Sequence, residues 1–499
     1  MGLIVRQSII TTIISYIGVA IGYVNLLYLY PRFLSPEQIG LMRTLQDAAI
    51  LMAQFAQFGL AQSVIRFFPH FREQEKEGKN FINIILLAGL STYALFLIVF
   101  FALESSIVSY FEANASDFIH YTSLALWLTF IIVMTTLLEV YSRSLLKIVL
   151  PNLLKEILVR VLLALIVLLY FQGLLTFPQV MISSVLIYAF TFLILLIALV
   201  AEGKLTFRTS FSIEPKMRKE LIRFSLLSFA GTAGLIIIGK VDSLMVAGLL
   251  GLAPVAIYTT AFYMATVIEI PKRAMTQVAT PLISRGFEKN DMMEIATIYK
   301  KTALNQFILG TLLLLGIAAN LDSIFTLMPK GEIYAAGKWV VLIIGAGKLV
   351  DMMFGPSSEL IVYSKHYWFN IVLIILLAIT IVTANNILIP AYGIEGAALG
   401  AAFALVIFNF AKFFFIWAKI GLQPFSFAYL KILSIGATAW VIQDLIPTIE
   451  IVLVDMAIRS LMMTLVFGGL ILWTNVSPEA NRLVRKAVGL LRQLIGSTN

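Results

Sequence analysis

The sequence predicts an all-α protein that crosses a membrane about fourteen times, as two six-helix repeats followed by two further helices. Three observations predict it. The 499 residues are 60% hydrophobic and only 13% charged, against the ~25% charge of soluble domains. Apolar runs recur along the whole length, each able to supply the ~20 residues that span the hydrocarbon. The charge left between the runs is strongly one-sided.

The runs lie at about residues 9–30, 41–66, 81–103, 118–140, 149–170, 178–200, 224–249, 256–281, 303–320, 339–363, 367–388, 396–417, 425–444 and 451–474. The first is long and lacks a small-residue cleavage site, so it is expected to be a retained span. With the N-terminus inside, the cytoplasmic loops carry twenty-two Lys and Arg, among them Arg72, Arg143, the six from Lys204 to Arg223, and Arg482, Arg485, Lys486 and Arg492 of the tail. The opposite loops carry three, Arg32, Lys330 and Lys338. Short cytoplasmic loops attract basic residues, so both termini are expected in the cytoplasm. The net charge of +9 is therefore a topology signal, and no nucleic-acid partner is predicted. Zero cysteines exclude disulfides and thiolate metal sites, and His70, His120 and His366 have no metal-ligand spacing, so no metal cofactor is expected.

The longest cytoplasmic loop, residues 201–223, divides a first lobe at 1–200 from a second at 224–420. Two additional helices occupy 421–476, and a basic amphipathic tail at 477–499 is expected to lie on an anionic leaflet. Ordered matches link the lobes: Pro36 with Pro254, and, at a constant offset of 222, Tyr141-Ser142-Arg143 with Tyr363-Ser364-Lys365 and Tyr170 with Tyr392. Both halves begin inside, so the repeat is parallel, and packed halves of this kind enclose a central cavity.

Polar stripes name the helices expected to face that cavity. Arg43, Asp47, Gln54 and Gln57 of span two fall within about 80° on a helical wheel. Glu269, Lys272, Arg273, Thr276, Gln277 and Thr280 of span eight fall within about 140°. Span seven carries Lys240 and Asp242 in GKVDSLMVAG. Two residues apart, they project about 200° from each other, so each needs a partner on another helix. Asp47 or Glu269 is expected for Lys240, and Arg43, Lys272 or Arg273 for Asp242. Two roles are open to such charges: fixing helix packing, or marking a substrate pathway. The same choice applies to Glu156 and Arg160 on span five and to Lys348 and Asp351 on span ten. Lys412 and Lys431 lie near span ends and are expected to snorkel. Eleven basic against nine acidic residues within the spans favour an anionic substrate. Pro271 in IEIPKRA and Gly355-Pro356 are expected to break spans eight and ten.

With FLSPEQIGL after span one and KVDSLMVAGLLGLAPVAIYTTA at spans seven to eight, this arrangement resembles the polysaccharide-biosynthesis flippases of the multidrug/oligosaccharidyl-lipid/polysaccharide exporter superfamily. The resemblance implies a V-shaped, two-lobed bundle in the bacterial inner membrane that moves a polyprenyl-diphosphate-linked oligosaccharide outward by alternating access. It implies no catalysis and no bound cofactor, with coupling to an H+ or Na+ gradient or to the membrane potential. Its implied partners are the lipid-linked glycan, membrane lipids and polysaccharide-assembly proteins. Carried onto this chain, Arg43, Lys240, Lys272 and Arg273, with Gln54 and Gln57, would engage the substrate. Asp47, Asp242, Glu269, Lys348 and Asp351 would balance or couple.

Two transport alternatives stay open, a cation-coupled drug antiporter and a flippase of the cell-wall precursor lipid. A membrane polymerase or ligase would need a long outer loop bearing catalytic residues, whereas the longest here spans only about residues 321–338.

Overall fold

Helices supply every regular element among the described residues, as the composition requires. The structure, a computed structural model, describes residues 3–72, 75–205, 215–479 and 481–482. Positions 206–214 of the expected linker and nearly all of the expected amphipathic tail, including Arg485, Lys486 and Arg492, lie outside those residues.

The chain divides into two compact units, Met1–Thr260 with Asn385–Ile394, and Ala261–Ala384 with Glu395–Asn499. The first begins with α1 (Leu3–Val24), which runs through a π turn at Asn25–Leu29 into Tyr30–Phe33. Next come α2 (Pro36–Gln57) with its continuation Leu60–Arg72, α3 (Glu75–Glu112) and α4 (Thr122–Ser144). Then follow α5 (Val159–Phe171), entered through a π turn at Leu154–Leu158, α6 (Phe177–Ala201), α7 (Pro215–Leu250) and the start of α8 (Leu252–Thr266). The second unit takes the rest of α8, a 3-10 turn Val267–Glu269, α9 (Ile270–Glu288), α10 (Met292–Leu327) and α11 (Lys338–Met353). It closes with Ser357–Tyr363, most of α12 (Phe369–Ile420), α13 (Ala428–Asp444) and α14 (Val452–Trp473).

Each of the fourteen predicted spans falls on helical residues. Among the described residues, nine helices are by themselves long and apolar enough to cross, ten with the pair Pro36–Gln57 and Leu60–Phe71, bent by 48°. For three of the four spans missing from that count the cause is physical. The helix through α5 holds Lys155, Glu156 and Arg160, α13 has only 17 residues, and α12 holds spans eleven and twelve on either side of a break at Gly393, φ +61°. The expected breaks are present: the 3-10 turn precedes Pro271, and Gly355, at φ +57°, separates α11 from Ser357–Tyr363.

Local chemistry starts and stops these helices. Ser35 caps α2 in a reciprocal box with Gln38, with Pro36 in the first turn, and Thr176 with Gln179 does the same for α6. Phe58 and Gly59 take positive φ where α2 bends.

Burial is inverted relative to a soluble protein. Ile98, Trp127, Ile197 and Ile379 stay more than 60% exposed on surfaces whose solvent is lipid. Lipid tails are as apolar as leucine, so close packing and hydrogen bonds hold the helices together. In the first unit α2 buries Ala49, Ala53 and Ala56, letting neighbouring backbones approach. Gly40 lies against the backbone of Leu252, and Gly248 against Tyr110, while Asn114 Nδ2 donates to the Gly248 carbonyl at 2.9 Å. In the second unit Phe307, Tyr429, Ile432, Met463 and Phe467 join α10, α13 and α14. Below α14, Lys301 bonds Glu479 at 2.7 Å, and that bond holds the Glu479 carboxyl below its usual range.

A β-carbon at Gly40 would fall on the Leu252 backbone, whereas one at Gly316 meets nothing within 4 Å. Gly40→Ala should therefore destabilise the protein by about 1–3 kcal/mol, seen as a lower melting temperature in detergent, and Gly316→Ala should not.

Candidate functional site

In the first unit the charges of span seven separate as their helical angle requires. Gly239 takes φ +79°, left-handed backbone immediately before the charged pair. Lys240 Nζ donates to Asp47 Oδ1 on α2, a carboxylate only 6% exposed. Asp242, fully buried, turns to other helices. Its Oδ1 accepts from Asn385 Nδ2 of α12 at 2.7 Å, and its Oδ2 accepts from the Tyr258 hydroxyl of α8 at 3.2 Å. The remaining stripe of α2 is amide and guanidinium. Arg43 and Gln54 are half-buried, Arg43 Nη1 lies 3.5 Å from Gln46 Oε1, and Gln57 is buried.

The second unit holds a denser network. Lys348 Nζ lies 2.8 Å from Glu269 Oε1, and Arg273 Nη2 lies 3.4 Å from Glu269 Oε2 one turn along. Lys272 Nζ donates to Asp351 Oδ2, and Lys412 Nζ stands 3.8 Å from Asp351 Oδ1. Lys412 also donates to Ser358 Oγ at 3.2 Å and rests 4.3 Å from the Phe408 ring centre. Four cations, Lys272, Arg273, Lys348 and Lys412, thus meet three carboxylates, Glu269, Asp351 and Glu359, in one region.

An open cleft of about 430 Å³ borders this network, lined by Glu269, Lys272, Arg273, Thr276, Gln277, Thr280 and Glu359. The two lysines at the back are buried, Lys348 at 6% and Lys412 at 2% exposure, whereas Arg273 is 76% exposed. The arrangement therefore presents a guanidinium and an ammonium at the cleft, with hydroxyl and amide groups beside them. The chemistry of such a surface is suited to an anion flanked by hydroxyls.

Of the two partners expected for Lys240, Asp47 is the one it takes. Lys272 and Arg273, two of the cations expected for Asp242, are paired instead with Asp351 and Glu269. The six polar residues of span eight do gather on one cleft, and Lys348 and Asp351 join it from α11. Glu156 and Arg160 pair with each other at 2.7 Å, and Arg160 also donates to the Gly18 carbonyl. Lys412 corrects the snorkelling expectation: its ammonium turns inward because Asp351, Ser358 and the Phe408 ring offer a buried cation more than the interface would. Tyr258, Asn385 and Glu359 were not anticipated. Asn385 sits in TANNILIP, where an amide inside an apolar run was the available signal.

The model of the family described as polysaccharide biosynthesis protein matches residues 4–287. No curated protein matches the chain in sequence. Among solved structures, the lipid II flippase MurJ in an inward closed conformation superposes with a TM-score of 0.73 at 13% identity, covering 94% of this chain and all of that one. An inward-facing multidrug resistance MATE family transporter of the MOP superfamily superposes at 0.62 and 16% identity, covering 84% and 98%. A MOP superfamily transporter from Pyrococcus furiosus gives 0.56 at 16% identity, covering 84% and 95%. These likenesses establish the fold.

Removing one partner of a buried pair strands the other. Asp47→Ala should cost about 1–3 kcal/mol in detergent melting, because Lys240 keeps some solvent contact, and the exchange Asp47→Lys with Lys240→Asp should recover most of it. An exchange no more stable than the single variants would show that the pair contributes no specific interaction.

Proposed function

We propose that this chain, which belongs to the polysaccharide biosynthesis protein family, is a flippase that carries a polyprenyl-diphosphate-linked oligosaccharide across the membrane by alternating access. The cleft of the second unit carries this reading. Arg273 and Lys272 present N–H donors suited to a diphosphate, and the exposed guanidinium can grip two phosphate oxygens at once. Thr276, Gln277 and Thr280 lie one and two turns further along, in reach of sugar hydroxyls. The prenyl chain needs no protein cavity, since the bilayer already dissolves it. Translocation forms and breaks no covalent bond, which agrees with a site built of ion pairs and hydrogen bonds.

On this reading the protein lies in the bacterial inner membrane with both termini cytoplasmic, as the loop charges favour, and serves surface polysaccharide export with the assembly proteins that use its product. Arg43, Lys240, Gln54 and Gln57 would contribute to binding from the first unit. Asp47 and Asp242 would couple transport to an H+ or Na+ gradient or to the membrane potential, which is worth ~2.3 kcal/mol per charge at 100 mV. Glu269, Lys348 and Asp351 would balance the cationic cleft.

The test is the sidedness of lipid-linked oligosaccharide in cells depleted of the protein, scored with an external lectin, beside susceptibility to cationic drugs. Glycan retained on the cytoplasmic face, with Arg273→Ala reducing rescue about ten-fold, is the expected result. Normal outward glycan with raised drug susceptibility would instead mark a small-molecule exporter, and retained cell-wall precursor a flippase of that lipid.

A further inference from the structure

Asp351 stands between two lysines of different character. Lys272 lines the open cleft and is 24% exposed, whereas Lys412 lies behind the carboxylate at 2% exposure. The two approach different oxygens, Lys272 donating to Oδ2 and Lys412 standing 3.8 Å from Oδ1. That second separation is an ion pair and too long for a hydrogen bond. Lys412 donates one of its three N–H groups to Ser358 Oγ at 3.2 Å and rests its charge against the Phe408 ring at 4.3 Å. It is a buried cation near its carboxylate that has not closed on it.

Resting on the flippase reading for its ligand, we propose that Lys412 is a positioning residue, the reserve counter-ion of Asp351. When an anionic group enters the cleft, Lys272 transfers to it, and Lys412 advances about 1 Å to hydrogen-bond Asp351. Without that replacement, the departure of Lys272 would leave the buried charge of Asp351 to the neutral Asn409 side chain, and the resulting penalty would be charged against substrate binding. The second oxygen of Asp351 makes the exchange stepwise, because Lys412 can close before Lys272 has fully left. The neighbouring pair lacks this device in the same form: Glu269 holds buried Lys348 at 2.8 Å, already within bonding distance, while Arg273 reaches it only at 3.4 Å.

Two measurements on the full-length protein test the exchange. The first needs no ligand: melting in detergent of Lys272→Met, Lys412→Met, the double variant, and the double variant carrying Asp351→Asn. Each single should lose little, because the other lysine serves Asp351. The double should lose more than twice the sum of the singles, and Asp351→Asn should restore most of that loss. Additive losses, or a Lys272→Met variant already as unstable as the double, would overturn the proposal. The second is binding of geranylgeranyl diphosphate to protein in nanodiscs. Lys412→Met should weaken it about ten-fold by holding Lys272 on Asp351, and Lys412→Met with Asp351→Asn should return to near the original affinity. Unchanged binding in Lys412→Met, with Lys272→Met still impaired, would also overturn the exchange. If no variant, nor the original chain, binds the diphosphate while the melting pattern holds, the functional reading fails and the reserve counter-ion stands.

Discussion

A charge inside a bilayer must find a partner, and the helix contacts described above follow from that requirement. Asp47 with Lys240 ties α2 to α7, and Asp242 gathers α7, α8 and α12 through Tyr258 and Asn385. Glu269 with Lys348 and Lys272 with Asp351 bind the region of the α8–α9 break to α11, and Lys412 adds α12. Apolar packing between lipid-facing helices is nearly indifferent to partner, since lipid is an equally good neighbour. Ion pairs are not indifferent, so they select which helices meet.

The same charges sit beside breaks in their helices. Gly239 precedes Lys240, the 3-10 turn ends at Glu269, and Gly355 lies four residues beyond Asp351. A broken helix exposes backbone groups that a membrane tolerates only where protein or a polar cavity satisfies them. Breaks and charges therefore share locations for one reason, and these positions combine polar surface with the dihedral freedom that a conformational change needs.

Much of the fold was legible because membrane helices advertise themselves by length and hydropathy. The break before Pro271 and the clustering of the span-eight stripe follow from local rules. Lys240 and Asp242 do turn to different neighbours, since two residues along a helix cannot aim at one. Less legible was the identity of partners. Asp242 is served by a tyrosine and an asparagine, residue types that composition does not distinguish from ordinary helix polar groups. Lys412 was assigned to the interface because position near a span end is a statistical guide, whereas its actual environment depends on Asp351, 61 residues away in sequence.

Period, hydropathy and charge bias are properties of short windows, and so the all-helical membrane class, the approximate spans and the polar faces could be read from the residues in order. Which carboxylate each cation meets depends on helix rotation and on neighbours brought together from 61 to 193 positions away, as for Lys412 with Asp351 and Lys240 with Asp47. Helix rotation in a bilayer is set by the whole packing arrangement, because lipid exerts little torque on an apolar face. The meeting of Lys272 and Lys412 at Asp351 is accordingly a property of the folded chain.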